Sequence, residues 1–299
     1  MNYLRAALLA TILLLPIGVN TPALRYRFSS GTVIVMWIED GAVILAADSR
    51  AMTDEGHADD DCKLLAFSGN IIFTSAGKAH MEIVQPYNAV WDARVVARQT
   101  IVRLPRNNNA EPARDIATAL AASWGNAAKS YFGHILSLDG GADALRHVTS
   151  SYGVLIEGIF AVRGADGAVA VSHMLISLDS TKQGTTIKAT PSILGPGFAV
   201  MGEQSIFLDY VPHPKNELAA RQFKQWQRSV AHKSQSEQNV AFIGQLARWT
   251  VDAGFADVGG DVDEVMLNAK GVNWIHRKSV CPADSHSQNF DIGSKQKRK

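Results

Sequence analysis

Cysteine is scarce: the 299-residue chain has two, Cys62 and Cys281. That excludes a disulfide-stapled scaffold and leaves either one bridge in an oxidising compartment or two thiols, with the free state slightly favoured. Excess charge is lacking too. Twenty-nine Lys and Arg against 28 Asp and Glu leave a net charge of +1, so nothing points to nucleic acid or to an acidic partner. The histidines are scattered without ligand spacing. No internal repeat or low-complexity block interrupts the chain, and no domain boundary is visible after Thr32. What remains is 46% hydrophobic and 19% charged, ordinary for a globular protein with ample chain for a core.

The one long apolar run is residues 6–19, too short to cross a bilayer comfortably. Arg5 precedes it and small residues around Thr21 and Ala23 follow, which is the layout of an export signal over residues 1–23. Pro16 and Gly18 argue against a buried helix there, and an uncleaved anchor made of residues 6–19 is the competing reading. The expected location is therefore periplasmic or secreted, with no membrane span left after processing. Residues 282–299 read as a disordered polar tail.

Between these ends the pattern is strands, two helices, strands, two helices, strands. Residues 32–38 and 42–47 are β-rich runs joined by Glu39-Asp40-Gly41, and Asp-Gly is a strong hairpin signal. A second hairpin is expected at residues 63–67 and 71–75. These strands are apolar almost throughout instead of alternating, so both faces of their sheet must be covered. Helical spacing of Met81, Val84, Val90 and Val95 predicts a long helix after Gly77, kinked at Pro86. A second helix carries Ile116, Leu120 and Trp124. Strands resume from residue 151 with a turn at 164–167, helices return at 218–230 and 237–251, and two strands flank residues 268–271. Stacking the sheets and placing helices outside gives the expected fold class: α+β, a four-layer αββα sandwich over residues 32–281.

The stretch SSGTVIVMWIEDGAVILAADSR, residues 29–50, carries the chemistry. Were the Gly31–Thr32 bond cut, Thr32 would hold a hydroxyl and an α-amine on one small frame. Such a residue serves as its own nucleophile and base. The amine must be neutral at working pH; its ordinary pKa is about 7.7–8.0, and a neighbouring ammonium lowers it.

Gly31-Thr32, an apolar strand, a turn and then Ala46-Ala47-Asp48-Ser49-Arg50 resembles the start of proteasome β-type subunits and their bacterial relatives, which are N-terminal nucleophile hydrolases with an αββα fold. The sixteen positions from Thr32 to Asp48 match that family's spacing, and Lys63 takes the place of its lysine one residue early. Ser75-Ala76-Gly77 stands at the oxyanion motif. The resemblance implies that Thr32 attacks, Lys63 keeps the amine deprotonated, Asp48 pairs with Lys63, and the Gly77 N–H holds the oxyanion. Arg50 supports Asp48. Gly31 precedes the autolytic cut, which would remove residues 24–31 as a short propeptide.

The sequence also departs from the family pattern. Val33 and Ile34 follow the threonine where a small polar residue is usual. The Gly-Ser-Gly motif has its counterpart in Gly202-Glu203-Gln204-Ser205, with Ser205 as the candidate supporting serine. Asp252 and Asp257 both precede Gly259-Gly260 and compete for the supporting aspartate. The His57-Ala-Asp59-Asp60-Asp61-Cys62 run reads as a solvated or cleft-lining loop and not a metal site. The expected function is a threonine-type peptide or amide hydrolase acting through an acyl-enzyme, with no cofactor or metal, and a homo-oligomer, ring included, as its assembly. The alternatives are an amidase or acylase on a small non-peptide amide, and a non-catalytic ring or binding subunit.

Overall fold

The computed structural model describes residues 25–29, 32–53, 56–85, 89–104, 111–149, 153–181, 184–202 and 217–284. Gly31, Ser205, the export signal and most of the expected polar tail lie outside the described residues. The chain is mixed α+β, with antiparallel sheets and, among the described residues, five helices.

One five-stranded sheet is built on the opening hairpin. Strands β2 (Val33–Glu39) and β3 (Ala42–Ala47) pair through the turn at Gly41, whose φ of 74° suits glycine. With β13 (Gly197–Gly202), β14 (Asp263–Asn268) and β15 (Gly271–His276) the order is β13-β2-β3-β14-β15. The second sheet runs β12-β11-β10-β7-β6, from β12 (Gly184–Leu194), β11 (Val169–Thr181), β10 (Val154–Arg163), β7 (Ile71–Gly77) and β6 (Leu65–Phe67).

Near-continuous apolarity in β2 and β3 has the consequence the sequence implies: both faces are buried. Ile34, Met36, Val43 and Leu45 join a cluster with Ile72, Ala76, Ile159 and Val171 of the second sheet. The alternate residues Val33, Val35, Ile44 and Ala46 join another with Ile243, Leu246 and Trp249 of helix α5 (Gln235–Asp252). On the far face of the second sheet, Phe73, Phe160 and Met174 pack with Ile116, Leu120, Trp124 and Phe132 of helix α2 (Ala113–Leu136). Helix α5 opens on a capping box, Ser234 with Glu237. Helix α4 (Glu217–Val230) lies as expected. A short helix α3 (Gly141–Val148) enters from Gly140 at φ 73° and was not anticipated.

The segment after Gly77 corrects the sequence reading. In place of one kinked helix it forms strands β8 (His80–Gln85) and β9 (Ala89–Asp92), and only then helix α1 (Ala93–Val102). Met81 and Ile83 are buried at a spacing of two, and Asp92 caps α1 by accepting from the N–H groups of Arg94 and Val95. Strand β1 (Arg25–Ser29), part of the expected propeptide, pairs antiparallel with β8 in a third sheet, β1-β8-β9. The loop after Arg50 is a small hairpin, β4 (Ala51–Thr53) with β5 (Gly56–Ala58).

Candidate functional site

Asp48 is the hub. It follows the last residue of β3, its side chain is fully buried, and a buried carboxylate needs donors. It has five. Oδ1 accepts from Thr32 Oγ at 3.2 Å, the Val33 N–H at 2.9 Å and Lys63 Nζ at 2.8 Å. Oδ2 accepts from the Arg50 N–H at 3.2 Å and the Gly259 N–H at 3.1 Å. Thr32 stands just before β2 and Lys63 just before Leu64 and β6, so the starts of two strands, one from each five-stranded sheet, meet at the end of β3.

Lys63 is nearly as buried as its partner. Burial pushes its ammonium below the usual lysine range, opposed by Asp48 and Asp61, and Lys278 nearby pushes it down further. The loop delivering Lys63 is held from several sides. Asp59 takes the Arg50 guanidinium in two bonds of 2.6 and 3.0 Å, Asp61 pairs with Arg94, and the Asp59 carbonyl accepts from Ser49 Oγ at 2.7 Å. Cys62 is bridged to Cys281, which overturns the leaning towards free thiols. Their Cα atoms are 5.6 Å apart, within bonding reach, which the count of cysteines had no means to reveal.

A second buried ion pair adjoins the first. Lys278 Nζ lies 2.7 Å from Asp263 Oδ2 and donates to the Asp61 carbonyl at 3.0 Å. Asp263 faces Ala47, the residue before Asp48, across the β14–β3 ladder. The sequence reading missed this pair. A lysine and an aspartate fifteen positions apart carry no local signal, although an aspartate opening an apolar strand was a hint.

Two glycines make the approach of the chains possible. Gly202, at φ 77°, lies against Thr32: a Cβ there would stand 2.0 Å from the Thr32 carbonyl oxygen. Gly259 leaves room for the Arg50 guanidinium, 2.3 Å from where its Cβ would be, and its carbonyl accepts from the N–H groups of Ser49 and Arg50.

The remaining candidates fall as follows. Gly77 ends β7 at φ 95°, beside Ala76 of the inter-sheet cluster, with its carbonyl accepting from the Ala79 N–H. Arg50 reaches Asp48 with its backbone N–H and gives its guanidinium to Asp59. Asp252 is exposed at the end of α5 and Asp257 is half-buried in the turn beyond; from this segment it is Gly259 that reaches Asp48. Among the described residues, no group of three or more His, Cys, Asp or Glu is placed to hold a metal ion, and no helix is long and apolar enough to cross a membrane. The arrangement therefore offers a hydroxyl, a buried carboxylate and a buried amine on one oxygen, the parts of a nucleophile with its charge partner. No protein-family model and no curated protein sequence matches this chain.

Proposed function

We propose that the chain is an exported N-terminal nucleophile hydrolase of the proteasome β-subunit type, cleaving a peptide or other amide bond with Thr32. The observation that carries this is the meeting of Thr32 Oγ and Lys63 Nζ on the same oxygen of Asp48. Three apolar clusters in the order helix–sheet, sheet–sheet, sheet–helix support the four-layer αββα sandwich of that family. The single disulfide favours an oxidising compartment.

The chemistry follows from those groups. Attack of Thr32 Oγ on the Gly31 carbonyl moves the acyl group from nitrogen to oxygen and frees the Thr32 amine; water then hydrolyses the ester, releasing the Gly31 carboxylate and restoring the Thr32 hydroxyl. The Lys63 charge disfavours a second cation, so the amine stays neutral and accepts the Oγ proton during attack on a substrate carbonyl. The Gly77 N–H donates to the oxyanion. Collapse expels the substrate amine, which takes the proton back, leaving an ester on Thr32. Water, deprotonated by the same amine, releases the acid. A small non-peptide amide is served by the same steps, and a homo-oligomer is the assembly that goes with the family.

Intact mass and N-terminal sequencing of the purified protein test this. The expected mature chain begins at Thr32, while Thr32→Ala keeps its upstream residues and hydrolyses no amide. A wild-type chain that begins upstream, with hydrolysis unchanged by Thr32→Ala, overturns the proposal. One observation favours the second reading, a non-catalytic ring or binding subunit: β1 is built into a sheet with β8 and β9. Retention of residues 25–29 with no turnover supports that reading.

A further inference from the structure

Thr74, Glu157 and His173 each bury a side-chain polar atom with no hydrogen-bond partner among the described residues: Oγ1, Oε2 and Nε2. They come from three strands, yet the ladders set them side by side. Thr74 faces Ile159 on β10, and Ile159 faces His173 on β11. One row along, Ala76 faces Glu157, which makes Glu157 the diagonal neighbour of both other residues. Side chains two apart on a strand share a face, and Ile159 and Ala76 belong to the cluster completed by Ile34 and Met201 of the other sheet. The three polar groups therefore lie on the inter-sheet face, next to the residue that precedes Gly77.

We propose that Glu157, His173 and Thr74 form a binding pocket for a carboxamide, the side-chain group of glutamine or asparagine. Thr74 is fully buried, while the side chains of Glu157 and His173 are 16% and 18% exposed, so a ligand would reach the three groups from the Glu157–His173 side. Glu157 Oε2 and His173 Nε2 stand 4.0 Å apart, too far to satisfy each other. His173 Nδ1 already has Ser192 Oγ at 3.4 Å, so Nε2 is the free end of the ring. Burial pushes the Glu157 carboxyl up and the His173 ring down, each towards its uncharged form. A carboxyl offers acceptors in either protonation state, and a neutral imidazole and a hydroxyl each offer a donor and an acceptor. A carboxamide, with two N–H bonds and a carbonyl, answers both kinds at once. An alkyl group leaves all three unpaired, and an ammonium meets only the acceptors. That the pocket sets substrate specificity rests on the hydrolase reading above; that it binds a carboxamide does not.

The test is equilibrium binding to the full-length Thr32→Ala variant, which needs no turnover. N-acetylglutaminamide, N-acetylnorleucinamide and N-acetyllysinamide share their backbone amides and differ only in the side-chain group. The expected result is a shift of the His173 ring signal in the NMR spectrum and binding of the glutamine probe about tenfold tighter than the norleucine probe, the size of one net hydrogen bond. Glu157→Leu should remove that difference and Glu157→Gln, which keeps a donor and an acceptor, should retain it. Equal binding of all probes, tighter binding of the lysine probe, or an unmoved His173 signal overturns the proposal. So does a His173 ring that titrates above the ordinary imidazole range in the free protein, since that marks an internal ion pair with Glu157. An uncut Thr32 in the wild-type chain defeats the hydrolase reading and leaves this measurement intact.

Discussion

At the scale of single residues, Asp48 binds the candidate site together through five donors, of which one is a charged side chain. Asp48→Asn keeps the shape but removes the negative charge and turns an N–H-bearing end towards groups that are themselves donors. Breaking one side of a buried ion pair costs about 3–5 kcal/mol. The variant is therefore expected to lose about that much stability in urea unfolding, and an unchanged midpoint would remove the carboxylate from its central place. The Asp48–Lys63 pair was legible because a carboxylate following an apolar strand demands a partner, whereas Thr32 was singled out by the family resemblance and its sixteen-position spacing to Asp48. The Gly259 N–H was not, since nothing local marks a backbone group 211 positions away as the one that closes on Asp48. Glu264 was missed for the same reason. Burial between β14 and α5 raises its pKa to about 7, against the opposing pull of Arg248 and His276, and its Oε1 has no partner among the described residues. The folded chain then holds the Glu264 proton up to about pH 7 while the unfolded chain releases it near 4.5. Stability from this group is present below about pH 4.5, falls as pH rises between those values, and is lost above pH 7. The total is about 3 kcal/mol by proton linkage. Glu264→Gln should flatten that slope and raise stability at pH 8; a parallel pH profile in the variant would count against it.

Strands and their turns were the most readable elements. The opening hairpin follows from two β-branched runs and Asp40-Gly41, and the last hairpin from the runs around residues 268–271. Residues 80–92 were misread because Met81, Val84, Val90 and Val95 fit a helical repeat by coincidence, whereas Met81 and Ile83 at a spacing of two face the core. β-Branched Ile83, Val84 and Val90 favour extended backbone, and the Asp92 cap allows a helix to begin only at Ala93. Turn chemistry also separates two glycines that the sequence presents alike. Gly41 and Gly202 have nearly the same φ, 74° and 77°, but a Cβ on Gly41 meets nothing within 4 Å and one on Gly202 meets the Thr32 carbonyl oxygen. Gly41→Ala is expected to cost about 1–2 kcal/mol, the penalty of the left-handed region alone. Gly202→Ala adds a backbone clash on the strand that positions Thr32, so its loss should exceed that of Gly41→Ala by at least about 2 kcal/mol. Thermal unfolding of the two variants side by side checks the difference. Equal losses would mean that β13 does not press on Thr32.

At the scale of the whole molecule, the Cys62–Cys281 bridge joins positions 219 apart and ties the segment after β15 to the loop that carries Lys63. That segment also brings Lys278, whose amine bonds both Asp263 and the Asp61 carbonyl, so the bridge and the second ion pair fasten the same two stretches of chain. Closing so long a loop in the unfolded chain restricts it severely, and the chain-entropy relation gives about 5 kcal/mol as an upper figure. Enthalpic terms and residual structure in the unfolded chain reduce such values, so about 3–5 kcal/mol is the expected loss for Cys62→Ala/Cys281→Ala. For a chain of this size that corresponds to a fall in Tm of roughly 10 °C. Because Lys278 and Asp263 persist in the variant, the Lys63 loop should loosen before the sheets separate. Amide hydrogen exchange is then expected to rise first in residues 59–63 and 277–281, with β2, β3 and β10 protected until global unfolding. Uniform exchange across the chain, or a Tm equal to that of the bridged protein, would show that the ion pairs hold these stretches without the bridge.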